Sequence, residues 1–434
     1  MKKITLLTLI AVLISSCMPQ DGQIPQSPLL STLERKSGLI AYIGIDGNLY
    51  VSDQAGGKKA QLTQDATDPT SQPAEFSSYQ LPTWSTDGNR LAFMGLSGTS
   101  DEATARILVA NIETDAVDEI FSSKTEYPFY MLWSPDDSNI SFLTTSASGQ
   151  SLILQRVSAA GGGESTIIDT GSPYYWSWAP DGHVLITHSG GAENSTAPEH
   201  VAFIRLQDAD IIETGLDLTP ASFQAPAWSP DGNLIVLTRS EGDKNEVILT
   251  DDTGQYLKTL GSFTLNTGFG WSSDSKKVAF IDGMQTMQAG VIGELNVVDT
   301  ETDKKVSAGE NVVAFFWSPD GKKIAYFVPF VNTPEGSSAD QSNGQLFLQL
   351  SMLDVETGES KELFTYRPTQ QFSSILPYFD QYHQSNTIWS PDNNNLVLSF
   401  LDTEGNPGIA VVAASGQLEP RLLAEGYLAF WSWK

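Results

Sequence analysis

The chain has 434 residues, 40% of them hydrophobic, enough to bury a sizeable core, and 18% charged. Acidic residues outnumber basic ones 52 to 24, a net charge of −28, and such a surface repels phosphate backbones and anionic headgroups, which argues against nucleic acid as a partner. The single cysteine excludes an internal disulfide, so packing alone must hold the fold. The first residues read as an export signal, with Lys2 and Lys3 as a basic start and Ile4 to Ile14 as an apolar run too short to span a bilayer. Residues 1–16 therefore stay outside the fold. Residues 17–37, with Pro19, Pro25 and Pro28 among Gln and Ser, have little periodicity and predict a flexible tether.

From residue 38 onward one phrase organises the chain. It is Trp317-Ser318-Pro319-Asp320-Gly321 followed by an apolar run, and copies begin at Trp84, Trp133, Trp178, Trp228, Trp271 and Trp389, with a truncated copy around Trp431. The apolar runs, from Leu39 to Ile43 in the first unit to Leu396 to Ser399 in the last, are mostly 44 to 52 residues apart. Runs this short, bounded by Gly, Pro, Asp and Asn, are strands. Each unit has a strand ending in Trp, a tight turn, two apolar strands and a short last strand. A four-stranded antiparallel unit at this period is the mark of a β-propeller blade. The expected fold is thus all-β, a propeller over residues 38–434. The final residues 427–433 hold a Trp strand with nothing after it, and the first unit lacks one. Together they complete a blade, which gives eight blades closed by the two ends, with seven as the alternative.

The phrase itself reads as structural. Ser-Pro-Asp-Gly suits a type I turn, with Pro fixing φ, Asp accepting local N–H groups and Gly tolerating positive φ. The tryptophans read as packing between blades, each able to bury on the order of 150–250 Å². Successive turns of an antiparallel blade alternate between the two faces of the disc. The insertions 63–82, 96–105, 189–199, 328–344 and 364–387 all fall on the face away from the Trp turns, which makes that face the functional one. The largest step, 72 residues from Trp317 to Trp389, carries an aromatic stretch with Tyr366, Phe372, Tyr378, Phe379, Tyr382 and His383. These are the candidate partner-binding residues, since loop aromatics anchor protein partners or stack on sugars. The other reading is that they cap the channel or pack on their own blade.

Two resemblances add to this. Ile14-Ser15-Ser16-Cys17 after an export signal resembles the lipobox of bacterial lipoproteins, which implies cleavage before Cys17, its lipidation, and an anchor facing the periplasm or cell exterior. The repeated Trp-Ser-Pro-Asp-Gly followed by an apolar strand resembles the TolB-type, WD-like propeller repeat found in periplasmic proteins and in the propeller domains of prolyl oligopeptidase relatives. TolB-type proteins carry six blades and a separate amino-terminal domain, for which residues 18–37 are too short. Propellers host scaffolds, enzymes and sugar binders alike. The chain has no Gly-x-Ser-x-Gly elbow, His-Glu-x-x-His, Cys cluster, P-loop or EF-hand spacing, so no catalytic residue, metal or cofactor is assigned. The expectation is a monomeric, lipid-anchored binding module or scaffold for an envelope protein or peptide. The alternatives are a carbohydrate binder, or a hydrolase or lyase using paired carboxylates at the channel mouth.

Overall fold

The computed structural model describes residues 37–434, except 58, 69–70, 72–73, 147–148, 150, 192–197, 208–209, 288–289 and 333–344. The expected signal peptide, residues 1–16, and Cys17 lie outside the described residues. Within them the chain forms five separate four-stranded antiparallel sheets and one ten-stranded sheet. Each four-stranded sheet uses consecutive strands, as in Tyr130–Trp133, Asn139–Thr145, Leu152–Ser158 and Thr166–Gly171. Burial follows strand position: Tyr130–Trp133 and Val184–Ser189 are buried throughout, whereas the outer strand Asp210–Gly215 is exposed throughout. Inner strands therefore read as unbroken apolar runs and outer ones as polar, because only the inner strands are covered on both faces.

The long last strand, Arg421–Trp431, is shared. Its first half pairs with Pro407–Ala413 (Gly408 opposite Glu425) and its second half with Ile40–Gly44 (Ile40 opposite Trp431, Ile43 opposite Leu428). The amino- and carboxy-terminal segments are thus joined in one sheet.

The repeated turn is a small hydrogen-bonded cage. Ser318 Oγ donates to Asp320 Oδ1 at 2.7 Å, Lys322 N donates to the same oxygen at 3.1 Å, and Lys323 N donates to Ser318 Oγ at 2.9 Å. The fifth position needs a positive φ, 66° at Gly321. Where Gly is replaced, the substitute adopts the same left-handed conformation and reaches the neighbouring turn. Asp137 accepts from Thr86 N (2.7 Å) and Asp87 N (3.0 Å), Ser275 from Asp231 N (3.0 Å), and Asn393 from Asp320 N (2.8 Å).

The tryptophans also link units. Trp133, Trp271, Trp317 and Trp389 donate Nε1–H to the carbonyls of Thr83, Ala227, Gly270 and Phe316 at 2.9–3.1 Å, each carbonyl lying just before the preceding Trp. Trp84 does the same to Phe430 across the chain ends at 3.3 Å, and Trp431 donates to Ser37. Trp178 is relayed, donating to Ser141 Oγ, which donates to Leu132 O, both at 3.0 Å. Trp228 breaks the series, its buried Nε1 having no partner.

The segment after residue 368, expected as loop, contains the helices α1 (Gln370–Ile375) and α2 (Phe379–Ser385), joined by the 3₁₀ turn Leu376–Tyr378. Thr369 Oγ1 caps α1 by accepting from Phe372 N at 3.3 Å. The buried residues Phe372, Ile375, Leu376 and Phe379 recur at helical spacing and join the main hydrophobic core.

Candidate functional site

The helical segment forms a plug against the inner strands. Gln381 is bound on three sides: Oε1 accepts from Trp176 N (3.2 Å), while Nε2 donates to Trp176 O and to the Tyr130 hydroxyl (both 3.1 Å). Tyr130 donates back to Gln381 O at 2.9 Å. Asp380 Oδ2 accepts from Ala225 N at 2.8 Å, and Gln384 Nε2 donates to Pro226 O at 3.3 Å. Asn386, its amide turned so that the nitrogen faces Pro82 O, donates there at 2.9 Å. Phe379 packs on Phe315 with centroids 5.0 Å apart. Gly268, just before the inner strand Phe269–Trp271, and Gly270 within it make room, because a Cβ on Gly268 would lie 2.8 Å from the Phe379 ring and one on Gly270 2.6 Å from His383 Nε2.

This arrangement places the six sequence candidates. Phe372 and Phe379 are 1% and 2% exposed, so neither presents a surface to a partner. Tyr366 is buried on the strand Ser360–Pro368, with no partner for its hydroxyl. Tyr382 is half-buried edge-on to Tyr130 at 5.0 Å. His383 directs Nδ1 at Phe379 O (3.0 Å), and burial lowers its pKa to about 4, so it is neutral with Nδ1–H donating. Tyr378 alone of the six is largely exposed, at 51%. Most of the aromatic content fills the interior, the arrangement of the second of the two readings given for it above. The polar residues of the same segment, Asp380, Gln381, Gln384 and Asn386, went unnoticed in the sequence because no local pattern marks a partner so far along the chain.

Above the plug, on the face away from the Trp turns, is a cavity of about 750 Å³. Its walls come from residues 67–68, 71 and 76–81, the exposed side of α1 and the last strand, with Tyr382 also contributing. The inner strand Glu75–Trp84 is longer than expected, pairing with Arg90–Thr99 as an extended arm. A register shift between Gln80 and Thr83 puts Leu81 at φ 48°, a strained conformation for a branched residue, and Leu81 lines the cavity. Tyr79 is fixed by donating to Asp65 Oδ1 at 2.5 Å and by edge-on packing on Phe93. Burial, then the Asp65 bond, raises its pKa, while burial, then the charge of Asp68, raises that of Tyr427. Among the described lining residues, Asp68 is the one acidic side chain, and there is no basic one.

Beneath the plug, Trp271, Trp317, Trp389 and Trp433 surround a second cavity of about 310 Å³ that reaches His383. Among the described residues, no group of three or more His, Cys, Asp or Glu converges to hold a metal ion, and no helix is long and apolar enough to cross a membrane.

No protein-family model matches the sequence, and neither does any curated protein. Solved structures do resemble the fold. One is an oligogalacturonate lyase in complex with manganese, 13% identical, covering 88% of this chain and 97% of that one with a TM-score of 0.50. Others are TolB from Acinetobacter baumannii (15% identical, 82% and 81% covered, TM-score 0.36) and the β-propeller domain of the Trilobed protease from Pyrococcus furiosus (13%, 81% and 99%, 0.47). The fold is a β-propeller. At such identities the likeness concerns fold alone, and the propeller's function must be argued from its own site.

Proposed function

We propose that the mature protein is a lipid-anchored, extracytoplasmic binding module: an eight-bladed propeller, closed by its shared last strand, that holds its ligand at the plugged channel mouth. Support for eight blades comes from the seven strands that end in Trp, from the bridge of Trp389 to Leu396 at the eighth copy, and from the strand 421–431 serving both the last blade and the first. Lipidation at Cys17 and a monomeric state belong to the same proposal. The observation that carries the binding reading is the 750 Å³ cavity, within the roughly 300–1,000 Å³ range of ligand sites and floored by a plug that fixes its walls. The rival hydrolase or lyase reading calls for two carboxylates, and the described lining offers Asp68 alone.

Ser374, exposed on α1 and lining the cavity, gives the test. Ser374→Trp fills the cavity without touching the buried side of the helix. Capture from envelope extracts should lose its specific ligand in this variant while the melting transition stays put; identical recovery by both proteins would move the site elsewhere. Cys17→Ser should shift the protein from the membrane to the soluble fraction. A second reading, an envelope protein docking on the plug's outer surface, rests on the exposed ring of Tyr378. Tyr378→Ala would then remove capture where Ser374→Trp does not.

A further inference from the structure

We infer that the channel-mouth cavity takes an uncharged oligosaccharide, a ligand class that rests on the binding-module reading and narrows it. Three properties of the lining point there. The first is charge. No Lys, Arg or His is among the described lining residues, Asp68 is the one acidic side chain there, and the whole chain carries −28. An anionic ligand would enter without a counter-charge and against repulsion, at the full cost of stripping water from its carboxylates or phosphates. The second is hydrogen-bonding type. Gln370 and Gln371 bring carboxamides and Ser100 a hydroxyl, while Ser71, Ser78 and Ser374, whose hydroxyls already donate to Asp68 O (2.8 Å), Leu96 O (3.5 Å) and Gln371 O (2.8 Å), bring acceptor lone pairs. Together they offer both donors and acceptors, as the hydroxyls of a neutral sugar require. Thr67, also in the lining, is less free because its hydroxyl already accepts from Ser77 N at 2.9 Å.

The third is the set of rigid rings. Tyr79 is held by Asp65 and Phe93, Tyr382 is wedged against Tyr130, and Tyr427 stands on the strand that joins the chain ends. Their faces suit the C–H side of a pyranose, and because they are fixed beforehand, little ordering cost remains for binding. A peptide fits less well. It would bind by adding to the free edge of the strand 75–84, but at Ser77 that edge is occupied, since Thr67 N donates to Ser77 O at 2.7 Å and Thr67 Oγ1 receives Ser77 N.

The test uses the full mature chain and calorimetric titration with maltotriose, triacetylchitotriose and trigalacturonic acid, alongside the envelope capture described above. At least one neutral sugar should bind, unaffected by added salt, with trigalacturonic acid at least about tenfold weaker. Ser374→Trp should abolish binding, and Asp68→Lys should narrow or reverse the preference. Equal or tighter binding of trigalacturonic acid overturns the inference, as does neutral-sugar binding that survives Ser374→Trp. If no sugar binds but envelope polypeptides are captured and lost in Ser374→Trp, the saccharide inference fails while the binding-module reading stands. If Ser374→Trp changes neither sugar binding nor capture, both fail.

Discussion

Asp380 is the residue where the plug should be most sensitive to pH. It is 6% exposed, receives the Ala225 amide at 2.8 Å, and has the phenols of Tyr130, Tyr175 and Tyr382 around it in place of a cation. Burial raises its pKa from 3.8 to about 6, against the lowering effect of the backbone amides. Between these values the unfolded chain has released the proton while the folded chain still holds it. Folding stability therefore falls as pH rises from about 4 to 6, and above 6 the whole penalty is in place, two pK units or about 3 kcal/mol. Asp380→Asn keeps an oxygen for Ala225 N and removes the ionisation. A buried amide that lacks a second partner costs about 1–3 kcal/mol, but that cost is the same at every pH. The prediction therefore concerns a difference: relative to the parent, Asp380→Asn should gain about 3 kcal/mol on moving from about pH 4 to about pH 8. Urea unfolding at the two pH values measures it, and comparison at each pH cancels the titration of all other acids. A stability difference between variant and parent that is constant with pH, to within about 0.5 kcal/mol, would refute the reasoning.

The links between blades make further predictions. Trp271→Phe and Trp389→Phe leave the Ala227 and Phe316 carbonyls without their indole donors and should each cost about 1–2 kcal/mol in urea unfolding, whereas Trp228→Phe, which removes an unpartnered donor, should cost distinctly less; equal losses at all three would deny the bonds any part in stability. Gly270→Ala forces its methyl to within 2.6 Å of His383 Nε2 and should lower the melting temperature by an amount equivalent to about 1–3 kcal/mol, unless the plug yields freely, in which case the transition will not move. Deleting residues 427–434 removes the pairing with Ile40–Gly44 and should lower the melting temperature by many degrees; an unshifted transition would sink the closed eight-blade model.

The repeat was legible because its demands are contiguous: Ser, Asp and a residue of positive φ must occupy fixed places in five positions, and Trp must precede them. The copies ending in Asp137, Ser275 and Asn393 depart from the phrase at its glycine. Each exchanges glycine for a side chain that accepts a bond from the preceding copy's turn, a role invisible until the blades stand side by side. The plug was hidden for a related reason. Phe372, Ile375, Leu376 and Phe379 have helical spacing, yet between strands they read as a sticky loop. Gln381 and Tyr130 lie 251 residues apart, so no local pattern could announce their contact. The cavity is harder still, because its lining gathers from several separate stretches that share no motif.

The composition of the plug follows from what the inner strands leave unsatisfied. Facing the channel, Trp176 offers both an N–H and a carbonyl, Ala225 an N–H, and Pro82 and Pro226 carbonyls. In an open channel water would meet them; in a filled one a side chain must. Gln381 with its donor and acceptor meets Trp176, the acceptor Asp380 meets Ala225, and the amides of Gln384 and Asn386 meet the prolines. The apolar residues Phe372, Ile375, Leu376 and Phe379 fill the space between. That matching of donor to acceptor explains why a carboxylate tolerates burial at residue 380. It also explains why the buried rings and amides of the segment point inward, which leaves contact with a ligand to its exposed side. Tyr378 is the exception, with a ring half in solvent and no interior group that calls for it. A contact of the plug with the outside falls at Tyr378 or at the exposed side of α1, where Gln370, Gln371 and Ser374 line the cavity.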